Sequence, residues 1–259
     1  MKVINNTNGR GGNKPLLTLM AIAASACIAQ GQTGFLEDFA GPTLDTNVWT
    51  VANYPAGHLG IIGGSYYMTA KQGGGFNPKL VNNNTAGPLN TSTHEISVVL
   101  NPFFLAGSGG TQSDFKWKNF GADGFMEIVL NSFGDMRMYH NDFSGGAGNI
   151  QPNTNIGPVA DGDVLDLKTV YDSGTDTINV TYEINGGGAV AFYSGGGIDG
   201  PIGDTIGNFV EVEVFKWGAV VDEPFIGIDE WNLTVVPEPT TAALFGLGSL
   251  SLLALRRRR

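Results

Sequence analysis

Between residues 32 and 236, apolar and polar side chains alternate with a period of two. In Val210-Glu211-Val212-Glu213-Val214-Phe215-Lys216-Trp217 the valines face one way and Glu211, Glu213 and Phe215 the other, the pattern of a strand with one face on a core. Trp231, Leu233 and Val235 alternate with Asn232 and Thr234 in the same way. Val164 to Val170 and Thr177 to Ile184 bracket Asp172-Ser173-Gly174-Thr175-Asp176, which reads as a hairpin with Gly174 supplying the unusual backbone angles. Asn185-Gly186-Gly187-Gly188 then turns into Ala189 to Tyr193. Further strands are expected at 35–39, 48–51, 65–70, 95–100, 115–120, 125–130 and 136–140, and no internal window has a 3.6-residue period. About a dozen short strands joined by Gly-rich connections predict an all-β fold, a two-sheet antiparallel sandwich. The Gly-rich segments 71–92, 143–162 and 194–208 read as loops that rim a binding face.

The two ends are built differently. Lys2, Arg10 and Lys14 precede an apolar stretch from Leu16 to Ala29, with small residues at Ala24, Ala26, Ala29 and Gly31. This order marks a secretory signal peptide, cut after Ala29 or Gly31, with Ala26 as an alternative. Cys27, the single cysteine, follows Ala24-Ser25-Ala26. It either leaves with the signal peptide or is lipidated, although a lipobox has a large aliphatic residue where this chain has Ala24. At the other end, Pro237-Glu238-Pro239 leads into an uncharged apolar run from Ala242 to Leu255, and then Arg256, Arg257, Arg258 and Arg259. Fourteen helical residues span roughly 21 Å, short of the roughly 30 Å hydrocarbon core of a bilayer. The arginines are expected on the cytoplasmic side. The division predicted is 1–31 as signal peptide, 32–236 as β-sandwich and 237–259 as tail, with a signal helix and a hydrophobic helix at the two ends.

The order Pro-Glu-Pro, short apolar segment and terminal Arg cluster resembles the PEP-CTERM sorting signal of bacterial exported proteins. The resemblance implies a membrane-bound processing partner of the exosortase type, which would cut near Pro237-Glu238-Pro239 after transient anchoring, and release or re-anchor the domain. The alternative is a plain C-terminal membrane anchor.

Removing both ends leaves 7 Lys and Arg against 23 Asp and Glu, a net charge of −16. So acidic a domain excludes nucleic acid as a natural partner, because displacing the counterions of a polyanion needs a basic surface. With Cys27 gone, no disulfide staples the exported domain.

Phe35-Leu36-Glu37-Asp38-Phe39 followed by Leu44-Asp45-Thr46-Asn47-Val48-Trp49 is similar to the opening of concanavalin A-like jelly-roll domains. Gly162-Asp163-Val164-Leu165-Asp166-Leu167, Tyr171-Asp172 and Ile226-Gly227-Ile228-Asp229-Glu230-Trp231 also look like strands of laminin G-like sugar-binding sandwiches. The resemblance implies a jelly-roll sandwich and transfers no activity.

A family 16-like glycoside hydrolase would need carboxylates at Glu-x-Asp-x-Glu or Glu-x-Asp-x-x-Glu spacing, about 5 Å apart in one cleft. The nearest candidates are Glu211 and Glu213, which share a face with no Asp between them; a solvated strand face explains them as well. Asp229 and Glu230 point to opposite faces of a strand. His58, His94 and His140 have no metal-binding spacing, and no serine sits in a nucleophile elbow. Asp161, Asp163 and Asp166 beside a Gly turn are the calcium candidates, with Asp turn chemistry as the plain alternative. Tyr66, Trp117 and Trp217 lead the aromatics that are candidates to stack on sugar rings, a group that includes Tyr54, Tyr67, Tyr139 and Tyr193, with core or strand-edge packing as the plain alternative, and the better reading for most of them.

These readings describe an exported, surface- or matrix-associated, non-catalytic β-sandwich that binds extracellular polysaccharide and requires no cofactor unless calcium is held. The alternatives are a polysaccharide-active hydrolase or lyase, and a structural surface protein without ligand.

Overall fold

The computed structural model describes residues 34–53, 57–69, 78–82, 93–104, 112–121, 124–142, 147–157, 159–196, 209–217 and 225–235. All lie in one compact unit, Gln32–Val236. In chain order the strands are β1 (Phe35–Glu37), β2 (Trp49–Asn53), β3 (His58–Ile62), β4 (Ser65–Thr69), β5 (Pro78–Asn82), β6 (His94–Phe104), β7 (Gln112–Phe120), β8 (Gly124–Asn131), β9 (Asp135–Asp142), β10 (Ala147–Asn155), β11 (Asp163–Asp172), β12 (Thr177–Ile184), β13 (Val190–Gly195), β14 (Phe209–Trp217) and β15 (Phe225–Val235). They form two antiparallel sheets: an eight-stranded one, β13-β12-β11-β6-β15-β4-β3 with β1 beside β15, and a seven-stranded one, β10-β9-β8-β7-β14-β5-β2. The all-β, two-sheet sandwich expected from the alternation is the fold observed.

The period of two decides what is buried. On β11, Leu165, Leu167, Thr169 and Tyr171 face inward and the residues between them do not. Val212 and Val214 of β14, Phe115 and Trp117 of β7, and Met136, Met138 and His140 of β9 supply the inner face of the seven-stranded sheet. Ile96, Val98 and Leu100 of β6, with Ile226, Ile228, Trp231 and Leu233 of β15, supply the other. At one end of this core, Trp49 meets Trp231 edge-on at 5.7 Å and Phe39 at 5.7 Å, and Phe39 meets Tyr66 at 5.9 Å. Glu37 fixes the cluster: one carboxylate oxygen accepts the Phe39 backbone N–H at 2.9 Å and the other accepts the Trp49 indole N–H at 3.1 Å. Phe39 adopts a left-handed φ of 48° while wholly buried, a conformation that packing must hold in place.

Two turn details differ from expectation or refine it. Gly174 is not the residue at positive φ in the β11–β12 hairpin; Asp176 is, at 51°. Asp172 accepts the Gly174 N–H at 2.8 Å and Asp176 accepts the Tyr171 hydroxyl at 3.0 Å, so side-chain bonds define this loop. In the next turn Asn185 and Gly186 both have positive φ, 52° and 69°, and the Gly187 N–H donates to the Ile184 carbonyl, the form of a type I′ turn.

Three strands lie where the sequence predicts none or only loop. β3 carries Gly60 at φ 87° and a register shift. β5 opens on Pro78 and lies inside the expected loop 71–92, yet Pro78, Leu80 and Asn82 are buried in alternation. β10, inside 143–162, is an edge strand containing Pro152 and two register shifts. Pro at a first position or on an edge removes no ladder bond that a central strand needs, so these segments pair despite their loop-like composition.

Candidate functional site

The outer face of the seven-stranded sheet follows from the same alternation. Because Phe115 and Trp117 point inward, Asp114, Lys116 and Lys118 of β7 point outward; Phe125 and Glu127 of β8, Arg137 and Tyr139 of β9, and Glu213 and Phe215 of β14 join them. Register then sets Lys118 opposite Glu127, Lys116 opposite Glu213, and Lys79 of β5 opposite Glu213.

The result is an ion-pair network across four strands. Lys118 Nζ lies 3.1 Å from Glu127 Oε2 and 3.1 Å from Glu213 Oε2, while Lys79 Nζ is 3.4 Å from Glu213 and Lys116 Nζ is 3.9 Å from Glu127. Three ammonium groups serve two carboxylates. The carboxylates are deep, with Glu213 4% and Glu127 8% exposed, so each needs its cations to offset desolvation. Half-buried rings border the network. Lys116 Nζ sits 4.4 Å from the Phe215 ring centre and Lys118 Nζ 5.9 Å from that of Phe125, within range of cation–π attraction. Phe125 in turn lies 5.3 Å from Phe120 and 6.2 Å from Tyr139. Among the described side chains, Lys79, Lys116, Lys118 and Arg137 stand on this face.

Of the predicted carboxylates, Glu213 is in the network, and Glu211 occupies the register position opposite Lys118 and Val81; the Glu211 side chain lies outside the described residues. Glu213 is therefore not a solvated strand residue. Glu127 is the carboxylate that the sequence reading passes over. It begins Glu127-Ile128-Val129-Leu130-Asn131, which has the right spacing but places Val and Asn where the hydrolase pattern requires Asp and Glu. The carboxylates of a retaining glycosidase stand about 5 Å apart with the scissile bond between them. Here one ammonium, that of Lys118, bridges Glu127 and Glu213.

The calcium triad does not assemble. Asp163 accepts the Ala160 N–H and the Asn185 amide, each at 2.6 Å, and so braces two loops. Asp166 stands on the opposite face of β11, outside the eight-stranded sheet, and Asp161 is exposed. One ion cannot be shared by side chains on opposite faces of a strand, and among the described residues no His, Cys, Asp and Glu cluster suits a metal. Burial, then the neighbouring Glu183 carboxylate, push the Asp166 carboxyl above the ordinary range. The glycan-contact expectation is corrected for Tyr66 and Trp117: at 2% and 4% exposure they are core residues, and their rings pack between the sheets. Trp217 ends β14 opposite Gln112, its side chain outside the described residues. Among the described side chains, Tyr139 is the named aromatic that stands half-buried on the outer face. Pro237, Glu238, Pro239 and Arg256 to Arg259 also lie outside the described residues.

Residues 235–259 match the PEP-CTERM protein-sorting motif. The motif marks the chain for export to the cell surface or beyond. A comparison with curated proteins gave no match. Among solved structures, the sandwich is similar to winged bean acidic lectin complexed with methyl-α-D-galactose, at 11% identity and a TM-score of 0.55 over 79% of this chain and 98% of the lectin. It is also similar to lectin II from Ulex europaeus, at 11% identity and TM-score 0.51 over 80% of this chain and all of the lectin. A third likeness is to endo-1,3-beta-glucanase from Streptomyces sioyaensis, at 15% identity and TM-score 0.51 over 80% of this chain and 96% of the enzyme. The fold is thus the concanavalin A-like jelly-roll sandwich shared by lectins and glycoside hydrolases.

Proposed function

We propose that this chain is an exported, non-catalytic carbohydrate-binding sandwich that works at the cell surface or within extracellular polysaccharide. Residues 1–31 direct export, an exosortase-type enzyme processes the tail near Pro237-Glu238-Pro239 after transient anchoring through 242–255, and residues 32–236 carry the binding function. The observation that carries the reading is the outer face of the seven-stranded sheet, where half-buried Phe125, Tyr139 and Phe215 border the Lys79–Glu213–Lys118–Glu127–Lys116 network. Rings there offer apolar surface to a sugar, and charged groups beside them offer directional hydrogen bonds, the mixture that small-ligand sites use. Lectin-like and glucanase-like neighbours support carbohydrate as the ligand class. Lys118 between the two carboxylates favours binding over hydrolysis.

Glycan-array binding by the purified chain, paired with a reducing-sugar assay on whatever glycan binds, tests this. The expected result is binding without sugar release, weakened roughly tenfold, about 1.4 kcal/mol, by Tyr139→Ala with the melting temperature unchanged. Sugar release abolished by Glu127→Gln or Glu213→Gln would overturn the non-catalytic assignment. Binding that ignores Tyr139→Ala and Phe125→Ala alike would move the ligand off this face.

A further inference from the structure

Behind that face, inside the sandwich, β9 turns Met136, Met138 and His140 toward the core with the period of two. His140 is 1% exposed, and neither ring nitrogen has a hydrogen-bond partner. A buried polar group in that condition costs about 1–3 kcal/mol and calls for an explanation. Strand register places Met126 of β8 directly opposite His140 on one side and Gly148 of β10 on the other. Gly148 has no side chain to offer the imidazole. Met126 and Met138 both line a cavity of about 20 Å³ between the sheets, together with Trp117, Asn119, Thr169 and Ile178.

We propose that Met126, Met138 and His140 form a binding site for a soft monovalent metal ion, Cu(I) or Ag(I). Two thioethers and an imidazole are soft to borderline donors, which select Cu(I) over the hard cations that carboxylates hold. All three are neutral, so the bound site carries a single positive charge. A divalent ion on the same ligands would bring two charges into an apolar interior with no anion to offset them. The donors stand on adjacent strands at neighbouring inward positions, and space beside Met126 and Met138 is already present. The rival occupant is a water molecule, which needs two to four polar partners. Asn119 and Thr169 offer such partners on the cavity wall, but the Thr169 hydroxyl already donates to the Ile96 carbonyl.

The test uses the full chain in detergent carrying Cys27→Ser, so that no thiol competes, titrated anaerobically with Cu(I) against a chromophoric Cu(I) chelator. One equivalent is expected to be withdrawn from the chelator, with X-ray absorption showing two sulfurs and one nitrogen around copper. Met126→Leu with Met138→Leu keeps the core volume nearly constant and is expected to weaken retention at least tenfold. A chain that withdraws no Cu(I), or whose copper has no sulfur neighbours, would overturn the site and leave water as the occupant. Equal retention by parent and double variant would overturn it too. If the double variant does not fold, absorption on the parent still decides.

Discussion

The Nδ1 atom of His58 lies 2.9 Å from the hydroxyl oxygen of Tyr66, and the other ring nitrogen approaches the Ala52 carbonyl at 3.4 Å. The imidazole on edge strand β3 therefore ties the eight-stranded sheet to β2, the edge of the other sheet. A carbonyl only accepts, so Nε2 carries the proton and Nδ1 accepts from the phenol. Burial pushes the Tyr66 hydroxyl up to about 12, so it remains a donor throughout the physiological range.

Acidification should loosen this edge. Burial holds His58 below its ordinary 6.5, against a smaller opposing effect of the Ala52 carbonyl. As pH falls through 6.5 the unfolded chain takes up the proton first, so the native state is disfavoured. The stabilisation is present above pH 6.5 and is lost as pH drops toward the folded value. Melting temperatures measured from neutral pH down to about 4 should decline in this window, and His58→Gln should flatten the decline. Asp172, held low chiefly by the Thr175 hydroxyl and then the Gly174 N–H, acts separately, its contribution being lost only below 3.8. An unchanged slope in His58→Gln would refute the assignment.

Glu37→Ala should be disproportionately damaging for a residue on a three-residue strand. It removes the acceptor of the Trp49 indole N–H, and Trp49 is 2% exposed. It also releases the Phe39 N–H at the left-handed residue of the cluster. An orphaned buried donor costs about 1–3 kcal/mol, so urea denaturation should lose about 2 kcal/mol. Glu37→Gln, which retains one acceptor oxygen, should lose less.

How much of this is legible in the sequence depends on whether the information is local. In Asp114-Phe115-Lys116-Trp117-Lys118, alternation alone separates an inner from an outer face, and it already places Trp117 with the core residue Phe115. The hairpin turns at 172–176 and 185–188 are equally plain. Glu127 is not, because it sits in Met126-Glu127-Ile128-Val129-Leu130, where Val129 is buried on the outward side and masks the period. Its partner Lys118 comes from the preceding strand, and register between strands is not written in either one. The same limit hides the Lys118 bridge to Glu213 and the Met126–His140 pairing. β10 goes unread for a different reason: Pro152 and Gly148 imitate a loop, and only the edge position makes them tolerable.

Gly227→Ala should destabilise the sandwich although the residue lies in a strand, where a side chain is normally welcome. A Cβ there would collide with the Asn101 carbonyl oxygen and come within 3.0 Å of the Tyr67 ring. The backbone atom cannot step aside without disturbing the β6–β15 ladder, in which Ile226 and Ile228 pair on either side of a register shift. Overpacking of this kind costs typically about 1–3 kcal/mol. Gly63→Ala is the control, since its Cβ would meet nothing and only its φ of 64° opposes the change; it should cost less in the same denaturation experiment.

Lys118→Met tests whether the outer-face network is held by its central cation. The substitution keeps an unbranched apolar stem of similar length but removes the ammonium that lies 3.1 Å from both Glu127 and Glu213. Lys79 at 3.4 Å and Lys116 at 3.9 Å then face one carboxylate each. Breaking a buried pair while leaving its charge behind costs about 3–5 kcal/mol, and the two remaining contacts should reduce that to about 2–3 kcal/mol. Adding Glu127→Gln to Lys118→Met removes one of the stranded charges and should recover part of the loss. The two substitutions would then be non-additive, as expected for residues in one network. A double variant whose destabilisation equals the sum of the single ones would mean that Lys118 and Glu127 do not act as a pair, and that the network is an exposed surface feature with little energetic consequence.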